Sequence, residues 1–545
     1  MEMMKLQLCY LIVSMACHLV FSFTDPQDAT VLQSIKQQWK NLPPSWNNSN
    51  DPCGTPWEGV TCSNSRVKAL ALSSMRLSGK LGDDIGGLTE LTSLDLSSNP
   101  DLTGSVSSRL GDLRKLNVLI LAGCGLSGTI PSELGNLAQL SFLALNSNNF
   151  TGEIPASLGN LTNLYWLDLS NNRLSGSIPV STSTGPGLDL LKKAKHFHFS
   201  KNQLLGQIPA SLFSSGMVLS HLLLDGNLLT GEIPPTLGNV QTLEILRLDN
   251  NALGGGVVIL QNLTNLIELN LASNNFSGPL PDLTGMNYLN YANLSNNSFQ
   301  PSQAPAWFST LKSLITLALE NGPLQGQVPQ QLFSLPQIQI VILRKNAFND
   351  TLDMGNNISQ QLQLVDLQNN DISSVTLSSG YSKTLLLMGN PVCASSIAST
   401  SYCQPQKRSA TNCSTSLANC RNITCPSDQK LSPQTCACAY PYEGTIIFRA
   451  PSFMDTANCS TFHDLQISLE MKFGLAPGAV VLLNPHFNID DYLQVGLGLF
   501  PTTRNFFNSS EIQRMGFELS SQTFKPPAEF GPYFFIAVPY KFPGQ

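Results

Sequence analysis

Three histidines, a tryptophan and an arginine recur at matched places in a stretch where one short phrase repeats. Trp166 and Asp168, His196 and His198, His221 and Asp225, and Ile245, Arg247 and Asp249 hold the third, fifth or seventh place of successive units. On an extended strand alternate residues point to one side, and neighbouring strands lie about 4.8 Å apart. These side chains therefore form one continuous, solvent-facing surface. A tryptophan beside imidazoles, carboxylates and a guanidinium has the composition of a binding hot spot; the alternative is a solvated sheet face with no ligand. Mild acidity would charge the histidines, whose ordinary pKa is about 6.5. No paired carboxylate-and-histidine geometry is evident, so no metal and no cofactor is assigned to them.

A second set of reactive residues lies further on. Eight cysteines fall between residues 393 and 460: Cys393, Cys403, Cys413, Cys420, Cys425, Cys436, Cys438 and Cys459. Few residues between them are apolar, so bridges rather than a core must hold this segment. Cys436 and Cys438 are one residue apart, and a bond between them would be strained; strained, exposed disulfides are the easily reduced ones. Cys420 and Cys425 make a second close pair. Four ordinary structural bridges are the competing reading, and eight cysteines allow 105 pairings. Of the thirteen cysteines in the chain, Cys9 and Cys17 lie in the leader. That leaves one cysteine over, and Cys124, at a place where a small buried side chain suffices, is read as an inert thiol.

The surface and the cysteines depend on the repeat. Leu116, Leu140 and Leu164 each open the frame L-x-x-L-x-L-x-x-(N/C)-x-(L/F)-x-G-x-I-P, at a spacing of 24 residues. A fixed period of this size marks a solenoid, whose units bury their apolar face only by stacking. Each unit gives a short strand with inward leucines, an inward asparagine at the bend, and an extended Gly-x-Ile-Pro return. About thirteen repeats are expected across residues 67–392, with ladder places at Met75, Asn99, Cys124, Asn148, Asn172, Asn202, Asn227, Asn251, Asn274, Asn297, Gly322, Asn346 and Asn370. The second repeat carries an extra residue at Asn99-Pro100-Asp101-Leu102. Ahead of them, residues 25–66 read as a cap, with a helix N-capped by Asp28 and a Cys53–Cys62 bridge over the open edge. Leu387, Asn390-Pro391 and Cys393 look like a closing cap, and residues 393–443 form the cysteine-rich segment.

Residues 444–545 change period. Thr445–Arg449, Ala479–Leu483, Tyr492–Phe500 and Tyr533–Val538 read as strands, Thr461–Phe473 and Ser509–Leu519 as helices. That order, βαββαβ, predicts a small ferredoxin-like α+β domain after the α/β solenoid.

Residues 1–24 have the charge, apolar run and small residues of a secretory signal. Thirteen N-x-S/T sequons agree: Asn47, Asn149, Asn160, Asn262, Asn275, Asn293, Asn296, Asn349, Asn357, Asn412, Asn422, Asn458 and Asn508. The expected location is outside the cell, where cysteines pair. Only 12% of residues are charged and the net charge is −6, which gives no electrostatic case for nucleic acid. No catalytic constellation stands apart from the repeat, so no enzyme is expected.

The cap motif D-P-C-x3-W-x-G-V-x-C at Asp51–Cys62, with the L-x-G-x-I-P repeats, resembles the ectodomains of plant leucine-rich repeat receptor kinases. Cys436-Ala-Cys438-Ala-Tyr440-Pro441-Tyr442, Phe448-Arg449-Ala450-Pro451-Ser452-Phe453, and Lys525-Pro526-Pro527 to Gly531-Pro532-Tyr533 look like the juxtamembrane module of one subgroup. That subgroup has been linked to perception of extracellular hydrogen peroxide. The resemblance implies a recognition and signalling module that binds an extracellular ligand, a co-receptor ectodomain, or both, through the concave solenoid face. It also implies an alternative, in which Cys420, Cys425, Cys436 and Cys438 register peroxide by thiol–disulfide exchange. Family members continue into a membrane helix and a cytoplasmic kinase. No glycine-rich phosphate loop, H-R-D or D-F-G segment appears in this sequence, and a secreted inhibitor of a microbial wall-degrading enzyme is the third reading.

Overall fold

A computed structural model describes residues 23–377, 381–394, 400–405, 413, 420, 423–453, 456, 458–489 and 491–543. Residues 1–22 of the leader, Asn412 and Asn422 lie outside the described residues. The chain opens with helix α1 (Pro26–Gln38). Its cap is Asp25, which accepts from the amides of Gln27 and Asp28, not Asp28 as the sequence suggested. Asp28 is buried instead, takes a two-pronged ion pair from Arg66 at 2.9 Å, and accepts from the amide of Val67. That carboxylate ties the cap to the first turn of the solenoid. Cys53 and Cys62 are bonded, and Trp46 packs on Trp57 beside them.

One fifteen-stranded sheet runs the length of the solenoid. Val60–Ser63 pairs antiparallel with Arg66–Ala71, and every later strand adds in parallel, one per turn, to Thr384–Leu386. Between the turns the apolar frame closes into a continuous core of wholly buried leucines such as Leu119, Leu143 and Leu167. The ladder asparagines satisfy the backbone at each bend. Asn148 donates to the carbonyls of Leu121 and Leu145 and accepts from the amide of Leu126, so it joins two turns. Asn390 repeats these bonds with Leu367, Leu387 and Ile372. What reads in the sequence as a closing cap is thus a fourteenth turn.

Cys124 is the exception in the ladder, and the turn before it explains why. The amide of Leu102, which an asparagine at 124 would serve, bonds the carbonyl of Asn99 inside its own turn. The extra residue at Asn99–Leu102 makes that bond possible, so a small thiol suffices at 124. Burial pushes this thiol up to about 12, which makes it a poor nucleophile.

The C-terminal domain consists of β1 (Tyr442–Phe448), α2 (Cys459–Phe473), β2 (Val480–Phe487), β3 (Leu493–Leu499), α3 (Ser509–Ser520) and β4 (Tyr533–Ala537). Its antiparallel sheet has the order β2-β3-β1-β4, the ferredoxin-like arrangement. Asn508 caps α3 through a complete capping box with Glu511, which settles Met515–Leu519 as helix. Among the described residues, no helix is long and apolar enough to cross a membrane.

The tail cysteines pair as Cys393–Cys403, Cys413–Cys459, Cys420–Cys436 and Cys425–Cys438. The close pairs considered from sequence do not form. Cys436 has a left-handed backbone, and the segment runs through a turn there, so Cys436 and Cys438 take different partners. Cys413–Cys459 ties the segment to the first residue of α2. A labelling experiment checks this pattern. Denatured, unreduced protein should take up thiol reagent at Cys124 and at none of the other described cysteines, before and after mild peroxide. Labelling at Cys420 or Cys436 would overturn the pairing.

Asn293 also departs from expectation. It lies on a concave strand, is 8% exposed and accepts from the amide of Ser295, so it has no room for a glycan. The other described sequon asparagines, Asn47, Asn149, Asn160, Asn262, Asn275, Asn296, Asn349, Asn357, Asn458 and Asn508, are exposed or half-buried.

Candidate functional site

The parallel register sets the concave face in rows. Trp166, His196, His221, Ile245 and Glu268 align across five strands, and Asp168, His198, Leu223 and Arg247 form the next row. Apart from Leu223 and Glu268, these are residues expected to face solvent. They do not: Trp166, Asp168, His198, Asp225, Arg247 and Asp249 are buried, and His196 and His221 are half-buried. The C-terminal domain sits against this face and takes up most of the patch.

Arg449, one residue past β1, enters it. One guanidinium nitrogen donates to Asp168 and Ser170 at 2.7 Å each, and the other donates to Nδ1 of His198 at 2.6 Å. Phe534 covers its plane at 4.5 Å. Arg247 pairs with both oxygens of Asp249 and donates to the carbonyl of Arg449. Tyr492 donates to Asp225 at 2.6 Å and stacks under both Arg247 and Lys201. Toward the first turns, Tyr442 meets Ser74, Ser520 meets Ser97, and the amide of Ala537 donates to Ser98. Gly516 fits there because a β-carbon would stand 2.3 Å from the hydroxyl of Ser73. The hot-spot composition is real, but its partner is the chain's own domain. The residue missed was Arg449: it was visible in the Phe448–Phe453 motif, but nothing in the sequence placed that motif over Asp168.

Part of the patch stays open. A cavity of about 540 Å³ lies between the concave face and the loop that follows α3. Trp166, His196, His221, Glu244 and Glu268 line one wall; Lys525, Pro526 and Pro527 belong to the other. The three histidines meet here. Nδ1 of His196 and Nδ1 of His221 are 2.9 Å apart, and Trp166 lies against His196 at 4.3 Å between ring centres.

Burial dominates the electrostatics. It holds His196, His198 and His221 neutral, well below the ordinary imidazole range; neighbouring histidines add to this at His196 and His221, and Arg449 adds to it at His198. Burial alone would raise Asp168, but Arg449, His198 and Ser170 together hold it well below the usual carboxylate range. Glu268 goes the other way: burial raises it to about 8 despite Arg247 nearby, with Asp249, Asp225 and Asp491 adding to the rise.

The raised carboxyl gives a signed prediction. Glu268 is protonated in the fold but ionised in the unfolded chain above about pH 4.5, so its contribution fades as pH rises from there toward 8. The buried imidazoles act in the opposite sense and favour the unfolded chain below about pH 6.5. A difference between variants isolates the acid. Glu268→Gln should gain on the wild type between pH 5 and pH 8, by a ceiling of about 4 kcal/mol at about 1.4 kcal/mol per unit. Urea unfolding at both pH values measures it, and a pH-independent offset would contradict it.

Residues 25–63 match the family model described as leucine rich repeat N-terminal domain. Residues 115–137, 139–161, 163–184, 218–240 and 265–286 match the leucine rich repeat model. The chain is a leucine-rich-repeat protein. It is 44% identical over 530 residues to a probable leucine-rich repeat receptor-like protein kinase of Arabidopsis thaliana, a match covering 96% of this chain and 56% of that one. It is 30% identical to a probable LRR receptor-like serine/threonine-protein kinase of the same plant, over 54% of this chain and 33% of the relative. The leucine-rich-repeat protein thus spans about half, or less, of the length of these curated relatives. Among solved structures it is similar to PEPR1-AtPEP1, with TM-score 0.57 and 28% identity over 67% of this chain and 58% of that one. It is also similar to a TDR receptor, with TM-score 0.53 and 27% identity over 59% and 55%.

Proposed function

We propose that this leucine-rich-repeat protein is the extracellular recognition and signalling module of a plant receptor-like kinase, binding a ligand together with a co-receptor ectodomain. The cleft carries the reading. One wall belongs to the solenoid and the other to the C-terminal domain, so a ligand seated there touches both and shifts the balance between their arrangements. The relatives named as receptor-like kinases, and the similar structure that pairs PEPR1 with AtPEP1, support a module of this kind. The cleft replaces the open concave patch as the place of binding, because Asp168, His198, Asp225, Arg247 and Asp249 are engaged in holding the domain. Trp166, His196 and His221 remain available to a ligand. The redox alternative needs thiols at Cys420, Cys425, Cys436 and Cys438, which are bonded in this structure.

The test fills the cleft from an exposed loop position. Ala528→Trp places an indole in it, and Lys525→Glu reverses its cationic wall. A saturable binder from cell-wall fluid should bind the wild type and lose at least about tenfold in affinity for both variants, one bulky or charged contact being worth about 1.4 kcal/mol or more. A binder indifferent to both would exclude the cleft.

A further inference from the structure

The sequence placed His196, His198 and His221 on neighbouring strands without any arrangement for a metal. The fold supplies one. One nitrogen from each ring lies within 4.8 Å of one nitrogen from the other two. The closest pair, Nδ1 of His196 and Nδ1 of His221, stands 2.9 Å apart. Two imidazole nitrogens bound at about 2.0 Å to one ion lie about 2.9–3.4 Å apart, so this pair is already at chelating distance. The third ring carries an independent sign. Nδ1 of His198 receives Arg449, which places the ring proton on Nε2, and Nε2 is buried with no partner. An unsatisfied polar atom in a wholly buried ring needs an explanation.

We propose that His196, His198 and His221 form a binding site for one divalent transition metal of the zinc and copper class, open to the cleft for a further ligand. Neutral imidazoles suit these ions, whereas magnesium and calcium need oxygen ligands. The nearby Arg449 and Lys525 weigh further against a hard cation held by charge alone. The protons balance without loss. His196 and His221 share one proton between their Nδ1 atoms; it moves to the Nε2 of the ring that carried it, leaving both Nδ1 lone pairs for the ion. On His198 the proton moves from Nε2 to Nδ1, and the Arg449 nitrogen that donates to Nδ1 turns away from it. Arg449 keeps its bonds to Asp168 and Ser170. Asp168 stands 3.9 Å from Nδ1 of His198, so a shift of under an ångström would complete the carboxylate–histidine–metal relay that orients metal-bound imidazoles elsewhere. This inference stands on the histidines alone and does not depend on what else the cleft binds.

The experiment titrates the whole chain with zinc or cupric ion by calorimetry, with magnesium and calcium as comparisons. Electron paramagnetic resonance of the cupric form reads nitrogen coupling. One equivalent should bind, with imidazole nitrogen coupling. His196→Gln and His221→Gln, both half-buried places, should each weaken binding by about 100-fold or more, with melting temperature checked so that unfolding is not mistaken for ligand loss. His463→Gln with His486→Gln should leave it unchanged. Less than one equivalent in folded wild type overturns the site, as does undiminished binding in His196→Gln and His221→Gln. Either result would leave binding to the cleft of a non-metal ligand intact.

Discussion

Arg449→Met should release the C-terminal domain from the solenoid. The variant keeps a long apolar stem under Phe534 but leaves Asp168 charged, buried and without its guanidinium. Breaking a buried ion pair from one side costs about 3–5 kcal/mol. The loss falls on docking rather than on either fold, because the side-chain bonds of Arg449 run from the C-terminal domain to the solenoid and lie inside neither. Hydrogen exchange should therefore rise in Trp166–Asp168 and Tyr533–Ala537 while the leucine core stays protected. Arg449→Lys should not restore docking, since an ammonium cannot reach Asp168, Ser170 and His198 at once. Adding Asp168→Asn to Arg449→Met should recover part of the loss by removing the stranded charge. Wild-type exchange in the single variant would show that the anchor lies elsewhere, with Tyr492 and Arg247 the next to test.

The second large effect concerns the ladder. Asn227 donates to the carbonyls of Phe199 and Leu224 at 3.0 and 2.9 Å, and accepts from the amide of Leu204 at 3.0 Å. Asn227→Ala orphans the amide of Leu204 inside the protein, while the carbonyls of Phe199 and Leu224 each lose one bond and keep another, from Asn202 and Asn251. At about 1–3 kcal/mol for the unsatisfied amide and about 1 kcal/mol for each carbonyl bond lost, the variant should lose about 3–5 kcal/mol and melt several degrees lower. The damage should spread, since each turn is stable only against its neighbours. Calorimetry would show it, and a melting temperature within a degree of wild type would mean that water replaces the amide.

The repeat frame, the cap bridge and the βαββαβ order were legible because each rests on local rules: period, turn residues and alternation. The ladder was legible for the same reason. Its exception was only half so, since the extra residue at Asn99–Leu102 and the thiol at Cys124 are both plain in the sequence but their compensation is a backbone bond. The candidate site failed differently. Trp166, His198 and Arg247 were correctly seen as side chains leaving the leucine ladder, yet whether they meet water depends on a domain about 280 residues away along the chain, as Asp168 and Arg449 are. No periodicity encodes a contact of that separation. The same holds for the histidines, whose spacing along the chain gives no hint that Nδ1 of His196 would stand against Nδ1 of His221. The cysteine pairing was likewise beyond local reading, because the bend at Cys436 decides it.

A stack of repeats ordinarily frays from its ends, each turn leaning only on the next. Here the C-terminal domain lies across the first eight turns like a splint, with hydrogen bonds from Ser74 to Arg247. Those turns are joined to residues more than two hundred positions away and must open together. The contacts described above reach from the first turn to Arg247 in the eighth. The molecule is thus a stiff arc continued by a springy one. Unravelling should start in the springy half, and a partner that grips it would meet a surface able to bend to fit.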